Sequence, residues 1–276
     1  MIEVVNGAVR VLVDMLMMPF ACASPWPAAV GVSFVVALMV LAGYKVGADA
    51  AAIRRAKGRV VAGVMEIHLF GDDLAGLFSG LGRSLKADLD YLRLSLRPLL
   101  ILIVPLGLLF VQLYGWFQFR PLQPGETTLL TVRLDAAVPA GETAVSAVGS
   151  SGIVVEAPPF VSARRNEIVW RVRVVDAAVP AWVDVTAGGE TIRKALVTGL
   201  ALRAVSTERV RDGAWNRLMH PSEKRLAPGS CTVSVAVAYP RRRFGLGPFD
   251  ANWVLAVFAM SLVVVLALKR PLRVEL

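Results

Sequence analysis

The sequence predicts an α+β membrane protein, in which three transmembrane helices carry a cytoplasmic antiparallel helical hairpin and an extracytoplasmic immunoglobulin-like β-sandwich. Three observations predict it. The chain of 276 residues is 56% hydrophobic with a mean hydropathy of +0.61, more apolar side chain than a soluble domain of this size buries. Three uncharged apolar runs, 28–44, 99–117 and 251–268, approach the ~20 residues that crossing a ~30 Å hydrocarbon core requires. Between the second and third runs, residues 121–240 change to alternating apolar and polar positions punctuated by turn residues, the mark of half-buried strands.

Residues 1–27 precede the first span. Here Val4, Val5, Ala8, Val11, Leu12 and Met15 recur at helical spacing, with Asn6, Arg10 and Asp14 elsewhere on the wheel and Pro19 ending the pattern. This is an amphipathic helix, either lying in the outer interface or buried against the spans. It is not read as a signal peptide, because Met1-Ile2-Glu3 lacks a basic start and Asp14 interrupts the apolar stretch. Lipidation at Cys22 is disfavoured, since Pro19 stands where leucine is usual.

Aromatic and basic residues mark the ends of the spans. Trp26, Tyr114, Trp116 and Trp253 occupy one set of ends, and Lys45, Arg97, Lys269 and Arg270 the other, as headgroup anchoring favours. Residues 45–97 carry nine Lys or Arg, against Arg10 alone before the first span. Lysine and arginine in short loops resist transfer, so 45–98 and the tail 269–276 are expected in the cytoplasm and the amino terminus outside. The cluster Arg241-Arg242-Arg243 opposes this, but it belongs to the long domain 118–250, and long domains cross largely regardless of charge.

Within 45–98 two helical stripes flank the turn Gly71-Asp72-Asp73, where Asp73 can cap the second helix. Ile53, Ala56, Val60, Val64 and Ile67 form the first stripe; Leu74, Phe78, Leu81, Leu85, Leu89, Leu92 and Leu96 form the second. Each needs a partner, and the short turn makes the other helix the nearest one. Arg54, Arg55, Lys57 and Arg59 form a basic hairpin surface that either meets anionic lipid or an acidic partner, or is simply solvated. In 118–250, strands are expected at 127–134, 153–157, 168–174, 182–187, 190–200 and 233–239, with Gly188-Gly189 as a hairpin turn. About seven short strands fit an immunoglobulin-like sandwich, and 205–228, with Trp215, reads as a polar insertion.

Covalent chemistry has little to work with. His68 and His220 fall on opposite sides of the membrane in this topology, and Asp72-Asp73 read as turn and cap residues. Gly76, Gly80 and Gly82 lie in a helical pattern rather than after a strand, so they make no phosphate loop. We therefore expect no enzyme, no catalytic residue, no metal and no cofactor. Cys22 and Cys231 both fall outside, where they either pair or stay as separate thiols. The net charge of +9 comes without a nucleic-acid recognition signature. No ionisable residue sits within a span, and Ser33, Gln112 and Ser261 are the polar side chains at depth.

The order of elements carries a resemblance. An outside amphipathic helix, an inward span, a cytoplasmic hairpin and an outward span opening at a proline, followed by a third span inward, resembles the core of the YidC/Oxa-type membrane protein insertase superfamily. Ala52-Ile53-Arg54-Arg55-Ala56-Lys57 leads into the hairpin, and Leu96-Arg97-Pro98-Leu99-Leu100 with Pro105 opens the second span. The match covers about residues 1–120 and 250–270. It implies a groove, lined by Ser33, Met39, Gln112 and Ser261, that receives hydrophobic segments of other membrane proteins, with Arg54, Arg55, Lys57 and Arg59 at its mouth. The chain departs from the family in lacking an arginine in the first span and in carrying a β domain between the last two. The alternative expectation is a structural or interaction protein whose β domain binds an extracytoplasmic protein. The positive-inside bias, the short chain and the absence of glycosylation sequons point to a bacterial inner membrane.

Overall fold

A computed structural model describes residues 2–20, 24–47, 74–140, 145–213, 223–246, 249–269 and 271, with 54, 55, 58, 61, 62, 65, 216 and 219. Four α-helices have both ends described, eleven strands occur among these residues, and the fold is α+β with antiparallel sheets. The chain divides into two compact units, 1–29 with 108–256 and 30–107 with 257–276.

Helix α1 spans Ile2–Met17 and runs into a 3-10 turn, Met18–Phe20, at Pro19. Its inward face is Asn6, Val13 and Met17, whereas Ala8, Val11, Leu12 and Met15 of the apolar stripe are exposed. Helix α2, Pro25–Gly47, starts on a proline, which needs no amide partner in the first turn, and Ser24 Oγ accepts the Trp26 amide at 3.3 Å. Helix α3, Leu74–Phe117, continues for 44 residues through Pro98 and Pro105. Helix α4, Trp253–Leu268, is capped by Asn252, whose Oδ1 accepts the Val254 amide at 2.9 Å.

Helix α2 and the 91–117 portion of α3 are long and apolar enough to cross a membrane; α4 is a shorter apolar helix of 16 residues. Leu99, Leu100, Ile101, Ile103 and Val104 are all exposed, as are Val30, Phe34 and Leu38 on α2. In the unit 30–107 with 257–276, Ala37 and Leu41 of α2 pack on Val265 of α4. Gly43 and Gly47, one turn apart, let α2 approach α3 closely. A Cβ at Gly43 would lie 2.5 Å from Leu102, and one at Gly47 3.1 Å from the Pro98 Cα, the use of small residues expected where two apolar helices pack.

The β domain lies in the other unit. Strands β1 (Thr127–Leu134), β3 (Ile153–Val155), β4 (Phe160–Ser162), β5 (Glu167–Val174), β8 (Glu208–Val210) and β9 (Thr232–Val237) form a sheet ordered β3-β5-β1-β9-β8, with β4 also on β5. A second sheet pairs β2 (Val145–Gly149), β6 (Ala181–Ala187) and β7 (Glu190–Leu196), and β10 (Phe244–Leu246) pairs with β11 (Phe249–Ala251). Alternation decides which side faces in. Leu130, Val132, Val172, Val174 and Trp170 meet Val183, Val185 and Ile192 of the second sheet in one core, where each buried large side chain contributes roughly 1.5–3 kcal/mol.

Turns and polar clamps set the register. Gly188 and Gly189 have φ of +57° and +80°, the two left-handed positions that a tight turn between twisted strands requires. Asn166, at φ +53°, donates to the carbonyls of Leu134, Asp135 and Val138 and accepts the Ala140 amide at 2.7 Å. The Tyr239 hydroxyl accepts the Val197 amide at 2.9 Å. Inside the domain, Lys194 is fully buried and donates to the Ser206 carbonyl at 3.0 Å and to the Glu223 carboxylate. Burial pushes its ammonium below the usual range, and Glu223 opposes that shift.

The expected strands appear: 127–134 is matched, 168–174 and 182–187 each gain a residue at the start, and three stop early, at Val155, Leu196 and Val237. Strands β2, β4, β8, β10 and β11 are additions; most are three residues long, too short for alternation to register. Part of the insertion 205–228 pairs as β8 and supplies Glu223 to Lys194. Cys231 Sγ lies 3.2 Å from the Ala187 carbonyl. Cys22, the turn 71–73, His68, Trp215 and His220 lie outside the described residues, and so does any pairing of Cys22 with Cys231.

Two outcomes follow. Gly188→Val forces a β-branched residue into the left-handed region and its Cβ to 2.9 Å from Cys231 Sγ; a loss of about 1–3 kcal/mol is expected, measured as a lower thermal midpoint in detergent. The second concerns acid. Arg120 holds the Glu126 carboxylate below its ordinary range, first through their hydrogen bonds. A lowered folded-state value contributes stability that is fully present above the ordinary range and is lost as pH falls through the folded-state value. Glu126→Gln should therefore cost about 1 kcal/mol at neutral pH, and in unfolding measured against pH that difference should begin to shrink as pH falls through the ordinary carboxylate range and be gone only below the lowered folded-state value.

Candidate functional site

Polar side chains on the apolar helices are the first candidates. Ser33 is fully buried on α2, and its hydroxyl donates to the Val257 carbonyl of α4 at 3.2 Å. Ser261, one turn further along α4, donates to the carbonyl of Phe258 in its own helix at 2.8 Å, a bond serine makes readily inside helices. Gln112 takes its partner from α1: its Nε2 donates to Asn6 Oδ1 at 2.6 Å, with both residues 5% exposed. Met39 is half-buried. Ser33 and Ser261 thus meet the same stretch of α4, while Gln112 belongs to the other compact unit.

Charged and apolar residues of the arm are the second. Arg54 and Arg55 are helical and exposed, and Lys57 and Arg59 lie outside the described residues. On α3, Leu85, Leu89, Leu92 and Leu96 are 61, 62, 55 and 39% exposed. Their spacing of four, three and four puts them on one face. Val61 and Met65 are exposed as well. The first stripe of the expected hairpin, Ile53, Ala56, Val60, Val64 and Ile67, lies outside the described residues; among those described, these four leucines are exposed.

A third set surrounds the start of α4. Phe117 stacks on Trp253 with centroids 5.8 Å apart, Phe110 meets the same indole at 5.8 Å, and Phe244 lies 5.8 Å from Phe117 and 5.5 Å from Trp26. The Trp253 Nε1–H donates to Gln118 Oε1 at 2.7 Å, satisfying the one polar atom of a buried indole. Residues 240–242 run beside 118–120: the Arg120 amide donates to the Pro240 carbonyl and the Arg242 amide to the Gln118 carbonyl, each at 3.0 Å. A polar recess of about 330 Å³ opens between Gln118, Arg241, Arg242, Arg243 and Asn252, and an apolar one of about 380 Å³ between Phe110, Val111, Tyr114 and Val254. Trp253 lines both.

Asn6, the exposed leucine face and Arg242 were not candidates from sequence. Asn6 looked like the solvent side of an amphipathic wheel. The leucines carried a signal, their stripe, but a stripe says only that a partner is wanted and not whether one is present. Among the described residues no group of three or more His, Cys, Asp or Glu is placed to hold a metal ion. Comparison with protein-family models, curated proteins and solved structures yields no match.

Replacing Gln112 tests the polar link to α1. Gln112→Leu removes the donor to the buried Asn6 Oδ1 and should cost about 1–3 kcal/mol, seen as a lower thermal midpoint. Asn6→Leu with Gln112→Leu should recover part of that loss, because both polar groups are then gone.

Proposed function

We propose that this chain is an insertase-like or chaperone-like integral membrane protein that assists insertion or assembly of other membrane proteins, without covalent chemistry. Helix α3 carries the reading. It continues without a break from an arm bearing the exposed face of Leu85, Leu89, Leu92 and Leu96 into a segment apolar enough to cross a membrane. A face of that kind is what an incoming apolar helix packs on, with anchors at three- and four-residue spacing. It offers a client segment a place to lose its exposure to water before it reaches lipid, at roughly 25 cal/mol per Å² of apolar surface covered.

The same proposal takes α2, the 91–117 portion of α3 and α4 as three spans. Their exposed apolar side chains, Phe34, Ile103 and Phe258 among them, support that reading, since water would penalise such faces. The lysine and arginine bias supports a cytoplasmic arm, with the β domain, read as immunoglobulin-like, on the opposite side of a bacterial inner membrane. The order of elements supports kinship with the YidC/Oxa-type superfamily. In this scheme Arg54, Arg55, Lys57 and Arg59 meet anionic headgroups or the client near the arm's base, and Met39, half-buried on α2, lies along the client's path; Ser33, Gln112 and Ser261 are buried on bonds of their own.

A second reading has the β domain as the working part and the helices as its anchor. One observation favours it: β3 and β4 together make an interrupted edge on β5, and Phe160 and Val161 stand 69 and 42% exposed there, an edge able to accept another strand. A photo-crosslinker placed separately at Met39, Leu89 and Phe160 during translation of bacterial membrane proteins distinguishes the two. Adducts with nascent membrane proteins from Leu89 and Met39, lost from Leu89 when Leu85 and Leu92 become Glu, are expected. Adducts from Phe160 alone, to a folded protein, would sink the insertase-like reading.

A further inference from the structure

The arginine triplet that runs against the positive-inside bias has a use of its own. Its backbone is laced to 118–120, which holds Arg241, Arg242 and Arg243 around the polar recess beside the first turn of α4. Among the described residues, Nε and Nη2 of Arg242 are buried and have no hydrogen-bond partner. Such a group is costly unless an anion joins it. Glu126, the carboxylate beside Arg120, does not serve, because Arg120 already holds both of its oxygens at 2.9 and 2.6 Å. Guanidinium forks match the oxygens of phosphate. Trp253 lines both this recess and the apolar one of Phe110, Val111, Tyr114 and Val254, so polar and apolar binding space share one indole.

We propose that the junction of α3 and α4 binds one anionic phospholipid, its phosphate in the arginine recess at Arg242 and an acyl chain in the apolar recess across Trp253. A free phosphate would use only the first recess and a neutral lipid only the second; the pairing of the two selects a molecule with both parts. The site requires that the helices lie in a bilayer, and it does not depend on whether the chain handles other proteins.

The full chain, purified in an uncharged detergent, is titrated with phosphatidylglycerol, with diacylglycerol of the same acyl chains and with inorganic phosphate, and read by native mass spectrometry. Phosphatidylglycerol should be retained at least about tenfold more tightly than diacylglycerol. Arg242→Gln should bring the two lipids to within about twofold, and Val111→Trp, which fills the apolar recess, should weaken retention of both lipids and leave phosphate unchanged. Equal retention of the two lipids by the unaltered chain would overturn the proposal, and this comparison decides alone should Arg242→Gln not fold. So would displacement of phosphatidylglycerol by an equal concentration of inorganic phosphate, which would mark a site for free phosphate. Full lipid preference in a folded Arg242→Gln variant would also overturn it.

Discussion

Phe117 is the residue on which the organisation of the larger unit turns. It ends α3, is fully buried, and lies against Trp253 at the start of α4 and Phe244 in the short hairpin before it. An apolar helix cannot simply be followed by a β domain, because the helix leaves its last carbonyls without intrahelical partners. Here the helix end is absorbed at once. The Gly115 carbonyl accepts the Val205 amide at 2.7 Å, the Gln118 carbonyl takes Arg242, and the Leu122 amide reaches the Val197 carbonyl at 3.0 Å. The turn from helix to sheet is thereby tied to distant segments of the β domain, and Trp253 brings α4 to the same place.

The aromatic cluster and the arginines are two consequences of that junction. Phe117 and Trp253 are buried where segment 240–242 passes beside 118–120, and the sequence puts three arginines at 241–243. One of them, Arg242, is carried partly inside, where burial and then the charge of Arg120 push its pKa below the ordinary guanidinium range. A guanidinium stays charged under such pressure, so the need for an anion persists. Lys194 shows the alternative within the same domain: a buried cation supplied with a carboxylate from the polar insertion and with a backbone carbonyl.

Hydrophobic faces divide in a similar way. In the β domain the inward faces of two sheets cover one another, and Trp170, Val172 and Val185 have no remaining exposure to spare. Along α2, α3 and α4, by contrast, large apolar side chains stay uncovered on the helices and on the leucine face of the arm. Within the membrane reading, lipid covers the first group, and the proposed client covers the second.

Much of the secondary structure was legible in the residues. Two-residue alternation predicted β1, β5, β6 and β9 because each has one buried face long enough to repeat, and Gly188-Gly189 announced its turn because only positive φ fits a tight hairpin there. Uniform apolar runs predicted the helices, because composition alone sets a segment's affinity for lipid or core. What a side chain meets across the fold was decided by tertiary structure. Asn6 reads as polar surface until Gln112, 106 residues away, is brought to it; Phe160–Ser162 is too short to announce a strand until β5 provides an edge. Arg242 shares its sequence context with Arg241 and Arg243, and its nitrogens are buried where 240–242 runs beside 118–120. Periodicity is a local property and survives in the sequence, whereas satisfaction of a buried polar group depends on which distant residue arrives, and that is settled when the chain closes on itself.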